Sequence, residues 1–247
     1  MLAKHRAWAT THAGLVRDRN EDSCQVASWR SSPAEANWRG SLATERLWAA
    51  VADGMGGHRR GELASSLVID CIAEMIDEVS DDTDIHQLIA QANMRLFHAM
   101  AAPGGSPAMG STVVGVVATG QRGWIFNVGD SRAYLLTGDE MQQVSVDHTP
   151  KLAAGDRRSH ALTQSLGGTL TPIPLKAHVV SFDPRAVEAV LLCSDGLTDM
   201  VDDDEIEALV RRSPDDPAQA LLGAALDAGG ADNVTIVVVH MANHISR

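Results

Sequence analysis

The chain has no apolar run long enough to cross a bilayer, no leader-like opening, no even set of cysteines and no excess of positive charge. Each absence removes a class of protein. Of its 247 residues 45% are hydrophobic and 21% charged, the ordinary composition of a soluble globular protein. Met1-Leu2-Ala3-Lys4-His5-Arg6 leads into alternating residues and not into an apolar segment, so no secretory signal is expected. Cys24, Cys71 and Cys193 are scattered among apolar neighbours. They predict reduced, packed thiols in a cytoplasmic protein and exclude a disulfide frame or a zinc site. Lys plus Arg number 20 against 32 Asp plus Glu, a net charge of −12, so neither nucleic acid nor a membrane is expected as a partner. No repeat, heptad or low-complexity block divides the chain; its length fits one sizeable domain or two small ones, and one over residues 1–247 is expected.

Periodicity supplies the organisation. Strands are predicted over His5 to His12, Ser23 to Trp29 and Leu47 to Ala52, with the polar stretch Arg30 to Arg46, containing Pro33 and Gly40, as an exposed hairpin loop. Leu63, Leu67, Val68, Cys71, Ile72, Met75, Ile76 and Val79 fall on one helical face, and Ile85, Leu88, Ile89, Ala92, Leu96 and Met100 on another. After Pro103 to Pro107, β-type segments follow at Ser111 to Thr119, Gly123 to Val128, Arg132 to Thr137, Gln142 to Val146, Lys176 to Phe182 and Ala189 to Cys193. Helical stretches around Glu205 to Arg211 and Pro217 to Leu226 precede a last strand, Asn233 to His240. Strands in two groups with helices between and after them predict sheets packed on each other and covered by helices.

The chemistry sits at strand ends. The apolar run Leu47 to Ala52 opens into Asp53-Gly54-Met55-Gly56-Gly57, which places a carboxylate where a buried strand meets a glycine turn. Alone, this is most often an ordinary turn. Ala189 to Cys193 repeats the arrangement with Ser194-Asp195-Gly196, Asp232 stands at the entry to the last strand, and Asp130 lies between two apolar strands. Such carboxylates are placed to converge at one rim of a sheet pair. Hard oxygen donors with no His or Cys among them favour Mg²⁺ or Mn²⁺ over zinc, and two such ions about 4 Å apart suit phosphoryl transfer to water. An arginine is wanted to orient the phosphate, and Arg17 stands before Asn20-Glu21-Asp22; its bland reading is a solvated surface residue.

Eight short motifs occur in one order: Arg17 to Asp22; Asp53 to Gly57 with Gly61-Glu62; Gly110-Ser111-Thr112; Gly129 to Tyr134; Asp147-His148-Thr149; Leu162 to Gly167; Ser194 to Thr198; and Asp232 to Thr235. In this order they resemble the metal-dependent protein phosphatases of type 2C, the PPM family, in its bacterial branch, over roughly residues 8 to 240. The resemblance implies an α+β fold, a four-layer α-β-β-α sandwich of two mainly antiparallel sheets flanked by helices. It matches Asp53 to the carboxylate bridging two metals, Gly54 to a carbonyl ligand, and Asp195 and Asp232 to the remaining ligands of a binuclear Mn²⁺ or Mg²⁺ centre. Asp130, with Asp195, matches the holder of a third, weaker metal. Arg17 matches the phosphate-orienting arginine, and Asp22 or Glu21 the acidic positions that hold water at the metals. Asn233 is expected to shape the turn beside Asp232.

The implied activity is hydrolysis of phosphoserine and phosphothreonine in proteins by a metal-activated water, by a monomer that opposes a serine/threonine kinase. Two other readings stay open: a non-catalytic module that binds phosphoproteins, whose signature would be lost metal ligands, and a hydrolase of small phosphate esters. His58 is a weak candidate for proton transfer, because the family histidine directly follows the first Asp-Gly and that position is Met55. His148 reads as a structural hydrogen-bonder, and Asp202 to Glu205 as the start of a helix. The segment between Asp147-His148-Thr149 and Leu162 is short, which predicts a reduced flap at 150–161.

Overall fold

A strand that is apolar on both faces must be covered on both, and several strands of this chain are of that kind. The computed structural model describes residues 3–31, 35–56, 59–103, 105, 108–150 and 161–242. In chain order its strands are β1 Ala3–His12, β2 Ser23–Val26, β3 Trp29–Arg30, β4 Ala36–Thr44, β5 Arg46–Ala52, β6 Gly54–Met55, β7 Gly110–Ser111, β8 Val113–Thr119, β9 Arg122–Val128, β10 Arg132–Leu136, β11 Met141–Gln143, β12 Leu166–Gly167, β13 His178–Phe182, β14 Ala189–Cys193 and β15 Val234–His240. The helices are α1 Arg59–Met75, extended by the 3-10 turn Ile76–Glu78, then α2 Asp82–Ala101, α3 Asp195–Thr198, α4 Asp203–Arg212 and α5 Pro217–Asp227. One large sheet runs β11-β10-β14-β15-β1-β4 and the other β13-β9-β8-β5-β2-β3, with a small ribbon β12-β7-β6 beside them. The pairings within them are antiparallel.

The alternation of side chains sets the layers. From β5, Leu47, Ala49 and Val51 enter the core between the sheets, while Trp48, Ala50 and Ala52 pack under α1 and α2. From β14, Val190 and Leu192 enter the same inter-sheet core, and Ala189, Leu191 and Cys193 pack under α4 and α5. The result is the expected α-β-β-α sandwich. Each fully buried Val, Leu or Ile contributes about 1.5–3 kcal/mol relative to exposure, so the three clusters dominate its stability. Aspartates cap the helices: Asp81 and Asp84 form a capping box on α2, and Asp202 and Asp216 accept from Glu205 N–H and Gln219 N–H at 2.9 and 3.1 Å. The acidic run at Asp202 to Glu205 is thus a helix start, as its sequence indicates.

Several boundaries differ from the sequence expectation. The strand over Ser23 to Trp29 is broken by a tight turn in which Ala27 takes φ +48, giving the β2–β3 hairpin. Most of Arg30 to Arg46 is not a loop but the edge strand β4, paired along β1 from Ala3↔Thr44 to Thr11↔Ala36. Trp38 and Leu42 alternate into the inter-sheet core, Trp38 stacks on Trp29 at 5.3 Å, and Gly40 lies where a Cβ would run into the Trp38 ring. Ser111 to Thr119 divides at Thr112 into β7 and β8, and the strands at Gln142 to Val146 and Lys176 to Phe182 are shorter than expected. Leu63, placed by its spacing on the buried face of α1, is 48% exposed.

The three cysteines are free and buried, and burial raises the Cys24 and Cys193 thiols to about 12, so neither acts as a thiolate at neutral pH. No helix among the described residues is long and apolar enough to cross a membrane.

Candidate metal centre

Asp53 leaves β5 at the rim of its sheet, and its backbone is fixed from three directions. Its N–H donates to Thr112 Oγ1 at 3.1 Å, and its carbonyl accepts from Thr112 N–H at 2.8 Å and Ser111 Oγ–H at 3.0 Å. Thr112 Oγ1 is in turn 2.7 Å from Ser131 Oγ, next to Asp130. The Gly110-Ser111-Thr112 and Asp130-Ser131 motifs therefore hold one carboxylate, a role that depends on long-range contacts and is not visible in their spacing. At Gly54 a Cβ would collide with the Gly61 carbonyl and come within 2.6 Å of Glu21 O, so glycine is required by close backbone approach.

A second network carries the N-terminal acids. Asn233 accepts from Glu21 N–H at 2.8 Å and donates from Nδ2 to Ala13 O at 2.9 Å and Arg19 O at 2.8 Å. It does more than shape the turn beside Asp232: it anchors the whole loop bearing Arg17 and Glu21 to the start of β15. Asp22 Oδ2 accepts from Ser194 Oγ–H at 2.8 Å, and Ser194 Oγ in turn accepts from Thr235 N–H at 3.0 Å. Asp22 Oδ1 is buried and has no hydrogen-bond partner among the described residues. Such an atom is costly unless water or a cation meets it.

The structure brings the sequence candidates together. Arg17, Glu21, Asp53, Gly54, Asp130, Asp195 and Asp232 line one cleft of about 1310 Å³, and Asp22 lies buried at its back. Burial, with the charges of Asp22, Asp195, Asp130 and Asp232, pushes the Asp53 carboxyl well above its ordinary value. Burial first, then the charges of Asp130, Asp199, Asp232 and Asp22, raise Asp195 to about 8, while burial chiefly raises Asp22 to about 6. Among the described residues no three His, Cys, Asp or Glu side chains close around one point as a ready-made chelate. Asp232 is instead drawn to Arg17, whose Nη2 is 2.6 Å from Asp232 Oδ2 and whose basicity rises through that hydrogen bond. Crowded oxygen donors that resist ionisation together, an orphaned carboxylate oxygen and an obligatory glycine at the Asp53 turn fit a site for hard divalent cations completed by water. Arg17 is thus a cleft residue and not an isolated surface arginine.

His148 accepts from Gly129 N–H at 3.0 Å through Nδ1 and returns its own N–H to Gly129 O at 3.0 Å, and burial lowers its basicity. It fixes the Asp130 turn, as a structural hydrogen-bonder. Arg132 forks onto Asp147 at 2.7 to 3.1 Å, with side-chain exposures of 15% and 18%. Arg132→Ala would take the charged partner from the Asp147 carboxylate, which keeps the hydrogen bond from Gln143 Nε2 at 3.0 Å, and is expected to lower stability by about 2–3 kcal/mol, read from the urea midpoint at constant m-value. A loss under about 0.5 kcal/mol would place the pair among weak surface contacts. His58 and residues 151–160 of the expected flap at 150–161 lie outside the described residues.

The Protein phosphatase 2C family matches residues 30–227. The Listeria innocua serine/threonine phosphatase stp is 31% identical over 210 residues, which cover 76% of this chain and 82% of that protein. Serine/threonine protein phosphatase PstP of Mycobacterium tuberculosis is 32% identical over 248 residues, 96% of this chain but 45% of PstP, so the chain spans about half of that relative. The solved catalytic domain of PstP in complex with 2 manganese ions has a TM-score of 0.76 at 29% identity, covering 97% of this chain and 99% of that one. The chain belongs to the protein phosphatase 2C family. The family match begins after Arg17 to Asp22 and ends before Asp232, so at those positions the assignment rests on the cleft itself.

Proposed function

We propose that residues 1–247 form one catalytic domain that hydrolyses phosphoserine and phosphothreonine in proteins with the help of two Mn²⁺ or Mg²⁺ ions. The observation that carries this reading is the gathering of acids from five separate stretches, with Arg17, in one cleft. Asp53, the Gly54 carbonyl, Asp195 and Asp232 would hold the pair, and Asp130 with Asp195 a weaker third ion. Bound there, the cations would supply a water activated for attack on phosphorus and neutralise charge on the phosphoryl oxygens. Asp22 and Glu21 hold and orient water at the back and side of the cleft. Arg17, exposed on the wall, turns from Asp232 to the phosphoryl oxygens and aligns the group for in-line displacement.

A protein substrate is favoured over a small phosphate ester by the cleft's own lining, which includes the exposed apolar side chains of Val16 and Ile173. Apolar side chains at a rim serve contact with another chain. A non-catalytic binder would have lost acids, and all the expected carboxylates are present. The enzyme would oppose a bacterial serine/threonine kinase in the cytoplasm and act as a monomer. Release of phosphate from a phosphopeptide that stops in excess chelator and returns with Mn²⁺ is the expected result; full turnover in chelator would sink the two-metal reading. Arg17→Ala is expected to lower kcat/KM for that peptide by about one to two decades, mainly through KM, since a charge-assisted contact contributes about 1.5–3 kcal/mol. An unchanged kcat/KM would return Arg17 to the surface.

A further inference from the structure

Among the described residues the cleft wall carries two arginines, and one of them is committed. Arg17 is paired with Asp232, whereas the guanidinium of Arg19, two residues on and exposed, has no acidic partner and no hydrogen-bond acceptor among the described residues. Arg19 lines the cleft and also a second hollow of about 550 Å³, so it stands on the ridge between them. Its base is fixed, because Arg19 O accepts from Asn233 Nδ2 at 2.8 Å and the next residue, Asn20, donates to Thr11 Oγ1 at 2.7 Å.

The hollow is built from Ser23, Ser31, Ser66, Arg30, Glu62 and Leu63. Arg30 is taken by Asp70 and by the carbonyl and hydroxyl of Ser66, the latter two at 2.9 Å. Because Ser66 Oγ accepts there, its own O–H is left to donate. A group entering the hollow meets one uncommitted cation and a hydroxyl donor, with Glu62 on the same wall to repel an anion placed too far from Arg19.

We infer that Arg19 and this hollow read a second anionic group on the substrate, a carboxylate or a second phosphoryl group. Arg17 and Arg19 lie two residues apart on one loop, so their Cα atoms are within about 7 Å and the group read would lie about two to four residues from the phosphoresidue. The inference rests on the phosphatase reading above. It makes Arg19 a specificity-determining residue that touches substrate without touching the reacting atoms.

The test uses the Mn²⁺-loaded protein and three phosphopeptides of equal length: one with neutral flanks, one with Glu three residues from the phosphoserine on either side, and one with a second phosphoserine at those positions. At low salt the wild type should prefer the anionic peptides by about tenfold in kcat/KM, expressed in KM, and added salt should shrink the ratio. Arg19→Ala should bring the ratio to about one, Arg19→Lys should keep part of it, and Glu62→Gln should raise it. Preference for both anionic peptides, or for the doubly phosphorylated one alone, supports the inference and states whether a carboxylate suffices. An equal ratio in wild type and Arg19→Ala overturns it, as does an equal loss on all three peptides, which would put Arg19 on the phosphoresidue itself. Failure of the wild type on the neutral peptide would instead be failure of the phosphatase reading.

Discussion

Asp53→Asn is expected to reduce phosphate release from any substrate by at least about a thousandfold, because it would remove the carboxylate proposed to hold the cations that neutralise phosphoryl charge. The metal-free variant should nevertheless melt no lower than the parent. In that state Asp53 is crowded by Asp22, Asp195, Asp130 and Asp232 and disfavoured as an anion, while its backbone hydrogen bonds to Thr112 and Ser111 do not involve the carboxylate. An amide of the same shape removes repulsion and leaves the turn intact. Phosphate release and a melting curve in chelator, measured on one preparation, separate the two effects. Activity within tenfold of the parent would show that Asp53 is not the shared ligand.

Metal and pH should act on stability in opposite directions. In the metal-free protein Asp22 and Asp195 keep protons to about pH 6 and 8 and Asp53 is raised as well, whereas the unfolded chain releases them near the ordinary value of 3.8. Between about pH 4 and pH 8 the native state therefore binds more protons than the unfolded one, and stability falls as pH rises through that window. A drop of roughly 5 °C in Tm from pH 5 to pH 8 is expected in chelator. Mn²⁺ held by the proposed carboxylates would compete with those protons, so its stabilisation should grow with pH and reach about 10 °C at pH 8 for a cation well above its Kd. A Tm that rises with pH in chelator, or that Mn²⁺ leaves unmoved at pH 8, would contradict this account of the carboxylate cluster.

The layers were legible because β5 and β14 are uninterrupted apolar runs, and such runs admit only a strand covered on both sides. The cleft was legible for a related reason: an Asp-Gly at the end of a buried strand has nowhere to go but the rim. The order of the motifs then gave Arg17, Asp22 and Asp130 a place that spacing alone would not. Edge strand β4 was misread because Gly40 and its polar outward residues carry the signals of a loop, and the alternation of Trp38, Gly40 and Leu42 acquires meaning only beside β1. Nor could the sequence tell that Asn233 binds the loop of Arg17, or that Thr112 and Ser111 clamp Asp53, since those hydrogen bonds join positions more than 50 residues apart. Leu63 obeys the helical period of α1 yet emerges at the wall of the second hollow, where periodicity has no information.

The pairing of β1 with β15 also imposes an order on the life of the nascent chain. β1 finds one neighbour, β4, soon after it leaves the ribosome, but the other, β15, is made only after some 220 further residues. Until then Thr11 lacks Thr235, Glu21 lacks the Asn233 amide, and Arg17 has no Asp232 opposite it. The half-made protein can assemble the β5–β8–β9 sheet under α1 and α2, yet it owns neither wall of the cleft in working form. Arrival of one strand completes the sheet, the Arg17 loop and the acid cluster together, so that a chain which has not finished folding lacks the assembled cleft on which the proposed activity depends.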